Sequence, residues 1–121
     1  MGYRSTKIVG SRRYPGVTLT IRRISFGRRI ELLKQIRELT AKLEFLEAGQ
    51  DPKEKLEASL LASELDRLYL LWGLERVDGL EIDGVSATPE ALVESGPEDL
   101  CGEALRAIKA EFGLSEEEEK N

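Results

Sequence analysis

The alternation of apolar and polar residues near the start of the chain predicts a β-hairpin. Val17, Leu19 and Ile21 alternate with threonines and would share one face of an extended segment. The preceding stretch, GSRRYPG, ends in a Pro-Gly turn signal, so it would join a short strand at residues 7–9 to this second strand. Because a two-stranded hairpin is only marginally stable in water, we expect the rest of the chain to pack against it.

After the hairpin the apolar pattern changes to that of two amphipathic helices. Ser25 is suited to cap the first helix, and Ala48-Gly49 is a signal for its end. The second helix would begin at Asp51 and Pro52. The apolar stripes are Leu32, Ile36, Leu39, Leu43 and Leu46 on the first helix, and Leu61, Leu65, Leu68 and Trp72 on the second. The short connection between them predicts an antiparallel αα-hairpin.

The last third of the chain predicts a short β-excursion or ordered loop followed by two helices. The stretch VDGLEIDGVSA contains two Asp-Gly turn signals. Thr88 and Pro89 would start a short helix, and a final helix would bury a stripe of Cys101, Leu105, Ile108 and Phe112. We therefore predict one domain of the mainly α (α+β) class: a basic β-hairpin at residues 1–24, an αα-hairpin at 25–74, a loop and C-terminal helices at 75–114, and an acidic tail at 115–121.

The net charge of −5 is unevenly distributed, because residues 1–30 contain eight basic residues and no acidic residue. Four of these, Arg22, Arg23, Arg28 and Arg29, flank the junction between the second strand and the first helix. Three interpretations stay open for them: a solvated basic edge, a contact with another protein, or a nucleic-acid surface. The acidic remainder of the chain and the scarcity of aromatic residues beside the arginines argue against nucleic acid. Arginines in the first turn of a helix face the positive end of its dipole, and an anionic protein surface would offset that small cost.

The sequence offers little for catalysis. It contains no histidine, and its one cysteine, Cys101, lies on an apolar helical stripe where a packed thiol is expected. The three acids of DGLEIDG do not have the spacing of a calcium loop, and the chain has no glycine-rich phosphate-binding motif. We therefore predict a protein that is not an enzyme, with no catalytic, cofactor-binding or metal-binding residue and no cofactor.

The densest apolar cluster lies at the end of the second helix and comprises Tyr69, Leu70, Leu71, Trp72 and Leu74. A stretch that is apolar on all sides is typical of a buried segment, and the alternative is a partly exposed patch that binds a partner. The chain has no apolar leader and no membrane-length apolar run, and its single cysteine excludes an internal disulfide. The expected location is the cytoplasm, without a membrane partner.

The segments ISFGRRIELLKQIRELTAKLEFLEAG, ELDRLYLLWGLERVDGLEIDG, ATPEALVESGPEDL and FGLSEEEEKN resemble, in pattern and order, the small tail assembly chaperones of long-tailed phages and prophages. The resemblance implies a mostly helical, self-associating protein that binds the tape measure protein and helps to recruit tail tube subunits. No individual binding residue can be assigned from this resemblance. The alternatives are a structural component of the phage tail and a small nucleic-acid-binding regulator that uses the arginine-rich segment.

The C-terminal residues bear on the same resemblance. Many of these chaperones are also made in a longer form by a −1 ribosomal frameshift, and Lys120-Asn121 could be encoded by a slippery A-AAA-AAC sequence. The other interpretation is an ordinary acidic tail, and the two remain open.

Overall fold

A computed structural model of the chain describes residues 1–113. It confirms the expected α+β class, with an N-terminal β-hairpin, two long helices and two shorter C-terminal helices. The elements in chain order are β1 (Thr6–Gly10), β2 (Thr18–Arg22), α1 (Phe26–Glu47), α2 (Pro52–Gly73), β3 (Leu74–Asp78), β4 (Glu81–Ile82), β5 (Val85–Ser86), α3 (Pro89–Ser95) and α4 (Glu98–Glu111). The predicted acidic tail at residues 115–121, which includes Lys120-Asn121, lies outside the described residues.

The described residues form two compact units. One contains residues 1–24 together with residues 69–113, and the other contains residues 25–68. The single-domain organisation stays a prediction, and each unit is described separately below.

The first unit is built on a three-stranded antiparallel sheet in the order β1-β2-β3. Its central strand, β2, has fully buried Leu19 and Ile21 side chains, as the alternation predicts. The third strand corrects the sequence analysis in two respects. The second helix ends at Gly73 and not at Leu74, and residues 74–78 form a strand that pairs with β2, so strand structure begins before the expected β-excursion at residues 77–87. The excursion itself is confirmed, since β4 and β5 pair as an antiparallel hairpin.

Helices α3 and α4 complete the core of the first unit. Helix α4 packs against β2, and α3 packs against β3 and α4. Leu92 of α3 and Leu100 and Ile108 of α4 are fully buried. The buried stripe of α4 is Leu100, Ala104 and Ile108, whereas Cys101, Leu105 and Phe112 are half-buried beside it. The predicted stripe was therefore correct at Ile108 but displaced around the helix at its other positions.

The second unit contains α1 and most of α2. Leu46 of α1 and Ala58 and Leu61 of α2 form a small buried cluster, with Leu39 and Leu43 packed against it. Leu32 and Ile36 are also buried, so the predicted apolar stripe of the first helix is its buried face. The apolar 4-3 spacing thus identified the packed side of α1 correctly.

The helix ends follow the capping signals in the sequence. The Ser25 hydroxyl accepts a hydrogen bond of 3.2 Å from the backbone N–H of Arg28, and the Thr88 hydroxyl accepts one of 3.1 Å from Ala91. The Asp51 carboxylate accepts one of 2.9 Å from the N–H of Lys53. Among the described helices, none has both the length and the apolar content needed to span a membrane.

Candidate functional site

The four arginines at the strand-to-helix junction do not form one set of equivalent surface charges. Arg22 is the half-buried last residue of β2, and its Nε atom is buried with no hydrogen-bond partner among the described residues. Arg23 follows it, while Arg28 and Arg29 lie in the first turn of α1, in the other unit. The predicted basic surface therefore has to be considered in two separate parts.

Arg23 belongs to a charged contact within the first unit. Its Nε atom lies 3.9 Å from a carboxylate oxygen of Glu111, and its guanidinium carbon lies 5.9 Å from the centre of the Tyr3 ring. Lys7 approaches the same carboxylate, with its Nζ atom 4.0 Å from Glu111. The cations of the N-terminal hairpin thus already face an acidic residue of this chain, so Arg23 is less available to a partner than the sequence analysis expected.

The loop between β1 and β2 is held against α4 by Glu103. This carboxylate accepts hydrogen bonds from the Ser11 hydroxyl at 3.0 Å and from the backbone N–H groups of Arg12 and Arg13 at 3.0 and 3.3 Å. Charge-assisted bonds of this kind are stronger than neutral ones. They lower the pKa of Glu103, with the Arg12 N–H as the largest cause.

Asp99, one helical turn before Glu103, binds the far end of the same loop. The Tyr14 hydroxyl donates a hydrogen bond of 2.7 Å to Asp99, and an Arg13 nitrogen lies 3.4 Å from the same carboxylate. The bond to Tyr14 lowers the pKa of Asp99 and raises the pKa of the tyrosine. Sequence reasoning missed Asp99, Glu103 and Glu111 as the counterparts of the basic hairpin, although their shared helical face was a visible signal.

Replacing Glu103 by glutamine should weaken the dependence of stability on acid. Because its pKa is lower in the folded protein, the carboxylate stabilises the fold above the unfolded-state pKa of about 4.3, and this contribution disappears as the pH falls through the folded-state pKa. The free energy of unfolding, measured by urea titration at several pH values, should fall less steeply between about pH 5 and pH 3 in Glu103→Gln than in the wild type. The matched control is Glu75→Gln, at an exposed position of β3. If the free energy of unfolding of Glu103→Gln fell with pH as steeply as that of the wild type, the contact between Glu103 and the β1-β2 loop would be contradicted.

The apolar cluster at residues 69–74 is mainly core. Trp72 and Leu74 are 6% and 2% exposed, Tyr69 and Leu70 are also buried, and only Leu71 is exposed. The ring of Phe112 packs against both Tyr69 and Trp72, with centroids 5.7 and 5.3 Å away. The interpretation of this segment as buried is therefore confirmed, and the alternative of a partly exposed, partner-binding patch is wrong for Tyr69, Leu70, Trp72 and Leu74, whose side chains stabilise the first unit.

Helix α1 carries an exposed apolar face in addition to the leucine stripe that its sequence pattern indicates. Phe26, Ile30 and Leu33 are 86%, 43% and 54% exposed. They are spaced by four and then three residues, so they lie on one side of the helix, beside the buried stripe. Ile30 and Leu33 lie along a shallow, open groove of about 530 Å³ on the surface of α1. Its other described lining residues also belong to α1 and are Lys34, Ile36, Arg37, Thr40, Ala41 and Glu44. The sequence signal was a second 4-3 spacing, hidden by the stronger leucine stripe next to it.

The cysteine and the aspartate considered above as reactive or metal-binding residues make contacts within the fold. The Cys101 thiol lies 3.5 Å from the carbonyl oxygen of Leu92, and partial burial raises its pKa, which disfavours the nucleophilic thiolate. Asp78, one of the three acids considered for a metal, lies 2.9 Å from Arg76. Within residues 1–113, no group of three or more histidine, cysteine or acidic side chains could hold a metal ion.

Comparisons with protein-family models, with curated protein sequences and with solved structures find no match to this chain. Neighbouring exposed apolar side chains are typical of a binding surface, and α1 carries three of them at helical spacing: Phe26, Ile30 and Leu33.

Proposed function

We propose that this chain is a non-enzymatic tail assembly chaperone of a long-tailed phage or prophage, which binds the tape measure protein and helps to recruit tail tube subunits. The proposal rests on the segment resemblance together with one structural observation. A charged, water-compatible chain leaves Phe26, Ile30 and Leu33 exposed on one helical face. Contiguous exposed apolar surface on a water-soluble fold is typical of a protein-binding site.

The α1 face has the form that suits a helical client. Its apolar residues follow the 4-3 spacing by which one amphipathic helix packs along another, and the groove beside them provides space for the side chains of a second helix. A tape measure protein is expected to be long and helical, so its apolar helical stripes would be exposed to water before the tail tube surrounds them. In the proposed mechanism, α1 covers such a stripe while the charged remainder of the chain keeps the complex in solution.

Co-expression with the tape measure protein tests this proposal. The wild-type chain should increase the soluble fraction of the tape measure protein and co-purify with it. The double variant Ile30→Asp, Leu33→Asp should bind at least about 30-fold more weakly, because each buried aliphatic side chain contributes about 1.5–3 kcal/mol. Phe45→Asp is the control, since Phe45 is 74% exposed on the same helix but does not line the groove.

Two outcomes would count against the proposal. If the tape measure protein is equally soluble with and without the chain, the chaperone function is wrong. If the chain is retained in purified phage particles in stoichiometric amounts, as mass spectrometry would show, it is a structural component of the tail.

A further inference from the structure

The exposed face of α1 combines apolar residues with a basic border. Arg29 and Arg37 each lie four residues from Leu33, so their side chains flank the same part of the helix surface. Both are exposed, and no carboxylate of the described residues is paired with either. This is an unusual surface for a chain with a net charge of −5.

The acidic residues of the same half of α1 lie elsewhere. Glu31 and Glu38 are seven residues apart and therefore share a side of the helix, and neither lines the groove. Among the lining residues that the structure describes, Glu44 is the one acidic residue, and it lies at the C-terminal end of the groove. The charged residues that line the groove beside Ile30 and Leu33 are therefore the cations Lys34 and Arg37, and Glu44 lies further along the helix.

The start of α1 adds an independent electrostatic feature. Its first turn contains Arg28 and Arg29 and no acidic residue. The N-terminus of a helix carries a partial positive charge, so cations at this position are slightly unfavourable and an approaching anionic group is favoured. The helix end and the arginines therefore attract the same kind of partner.

From these features we infer that the groove of α1 at Ile30 and Leu33 binds an amphipathic partner helix whose apolar stripe is bordered by acidic residues. The apolar positions supply affinity, and the Arg29 and Arg37 cations select the acidic border and exclude a basic one. A second copy of this chain in parallel pairing would place the same arginines against each other, which disfavours it as the occupant. The inference rests on the proposed function and specifies which segments of the tape measure protein would be recognised.

Two synthetic helical peptides test this selectivity without the tape measure protein. Both are about 20 residues long and share one leucine stripe, which is bordered by glutamate in one and by lysine in the other. Fluorescence anisotropy at low salt should give at least about tenfold tighter binding of the glutamate peptide, and the difference should shrink as salt is added.

Reversing the charge of the two arginines should then reverse which of the two peptides binds more tightly. The variant Arg29→Glu, Arg37→Glu should bind the lysine peptide more tightly, whereas Lys42→Glu, Lys55→Glu, which changes the net charge equally outside the groove, should keep the wild-type preference. Ile30→Asp, Leu33→Asp should weaken binding of both peptides. Circular dichroism of each variant verifies that the helices remain folded.

Several results would overturn the inference. These are equal affinity for the two peptides, no binding of either, or exchange of the preference in the control variant. A dimer in sedimentation experiments that Ile30→Asp, Leu33→Asp dissociates would assign the face to a second copy instead. If peptide selectivity holds while tape measure solubility is unaffected, the groove is retained and only the proposed function fails.

Discussion

Replacing Ile108 by alanine should lower the free energy of unfolding by about 3 kcal/mol, whereas Ile8→Ala should change it by less than about 0.5 kcal/mol. The two substitutions are chemically identical. Ile108 is completely buried in α4, while Ile8 is 65% exposed on β1. Only the first leaves a cavity, so the difference between the two variants measures burial in the core of the first unit.

Trp72 provides the readout for this experiment. It is the only tryptophan, it is buried in the first unit, and it packs against Phe112 at the end of α4. Its fluorescence during urea titration should therefore report the unfolding of this unit. Similar losses in Ile108→Ala and Ile8→Ala would contradict the packing of α4 on the sheet.

A substitution at Gly73, made alone and together with Ile108→Ala, tests the contact between these two residues. A Cβ atom at this position would lie 2.6 Å from Cγ2 of Ile108, so Gly73→Ala alone should cost about 1–3 kcal/mol through overpacking. In the Ile108→Ala background the obstructing atoms are gone, and the cost should fall by about 1 kcal/mol or more. Additive effects in this double-mutant cycle would show that the two residues are not in contact.

The parts of the fold that were predictable from sequence are the local ones. Alternation identified β2, capping residues identified the starts of α1 and α3, and the leucine spacing identified the buried face of α1. Each of these signals is contained within a few consecutive residues. The physical cause of each element is therefore visible without knowledge of its neighbours.

Strand β3 was not predictable in the same way. The stretch LYLLWGL is apolar on all sides, so periodicity cannot distinguish the end of a helix from the beginning of a buried strand. The boundary at Gly73 is set by contacts with distant residues: Ile108 lies against the glycine, and Leu19 pairs with Val77 across the sheet. Such pairings depend on tertiary structure, which a local pattern does not encode.

The charged contacts of the candidate site were not predictable from sequence either, because they also join distant residues. The basic N-terminal hairpin has no acidic residue near it in the sequence, since residues 1–30 contain none. In the folded first unit, Asp99, Glu103 and Glu111 of α4 lie against it. The better candidate for a basic binding surface is therefore on α1, where Arg29 and Arg37 border exposed apolar side chains.

Substitution of Gly79 by alanine should be among the most destabilising changes on the surface of the chain. Gly79 has a positive φ of 82°, which a residue with a Cβ atom adopts only at a cost of about 1–2 kcal/mol. A Cβ atom would also overlap the carbonyl oxygen of Gly16 and lie 3.0 Å from its carbonyl carbon. Backbone atoms cannot rotate away as a side chain can, so the total loss in the free energy of unfolding should reach about 3 kcal/mol or more.

Gly84→Ala is the matched control, because the two glycines differ in only one of these respects. Each follows an aspartate, and Gly84 has nearly the same φ of 81°, but a Cβ atom there meets nothing within 4 Å. Gly84→Ala should therefore cost about 1–2 kcal/mol for the backbone conformation alone. The excess loss in Gly79→Ala, followed by Trp72 fluorescence, measures how closely the end of β3 approaches the turn before β2. Equal losses in the two variants would mean that the two segments do not meet at Gly16.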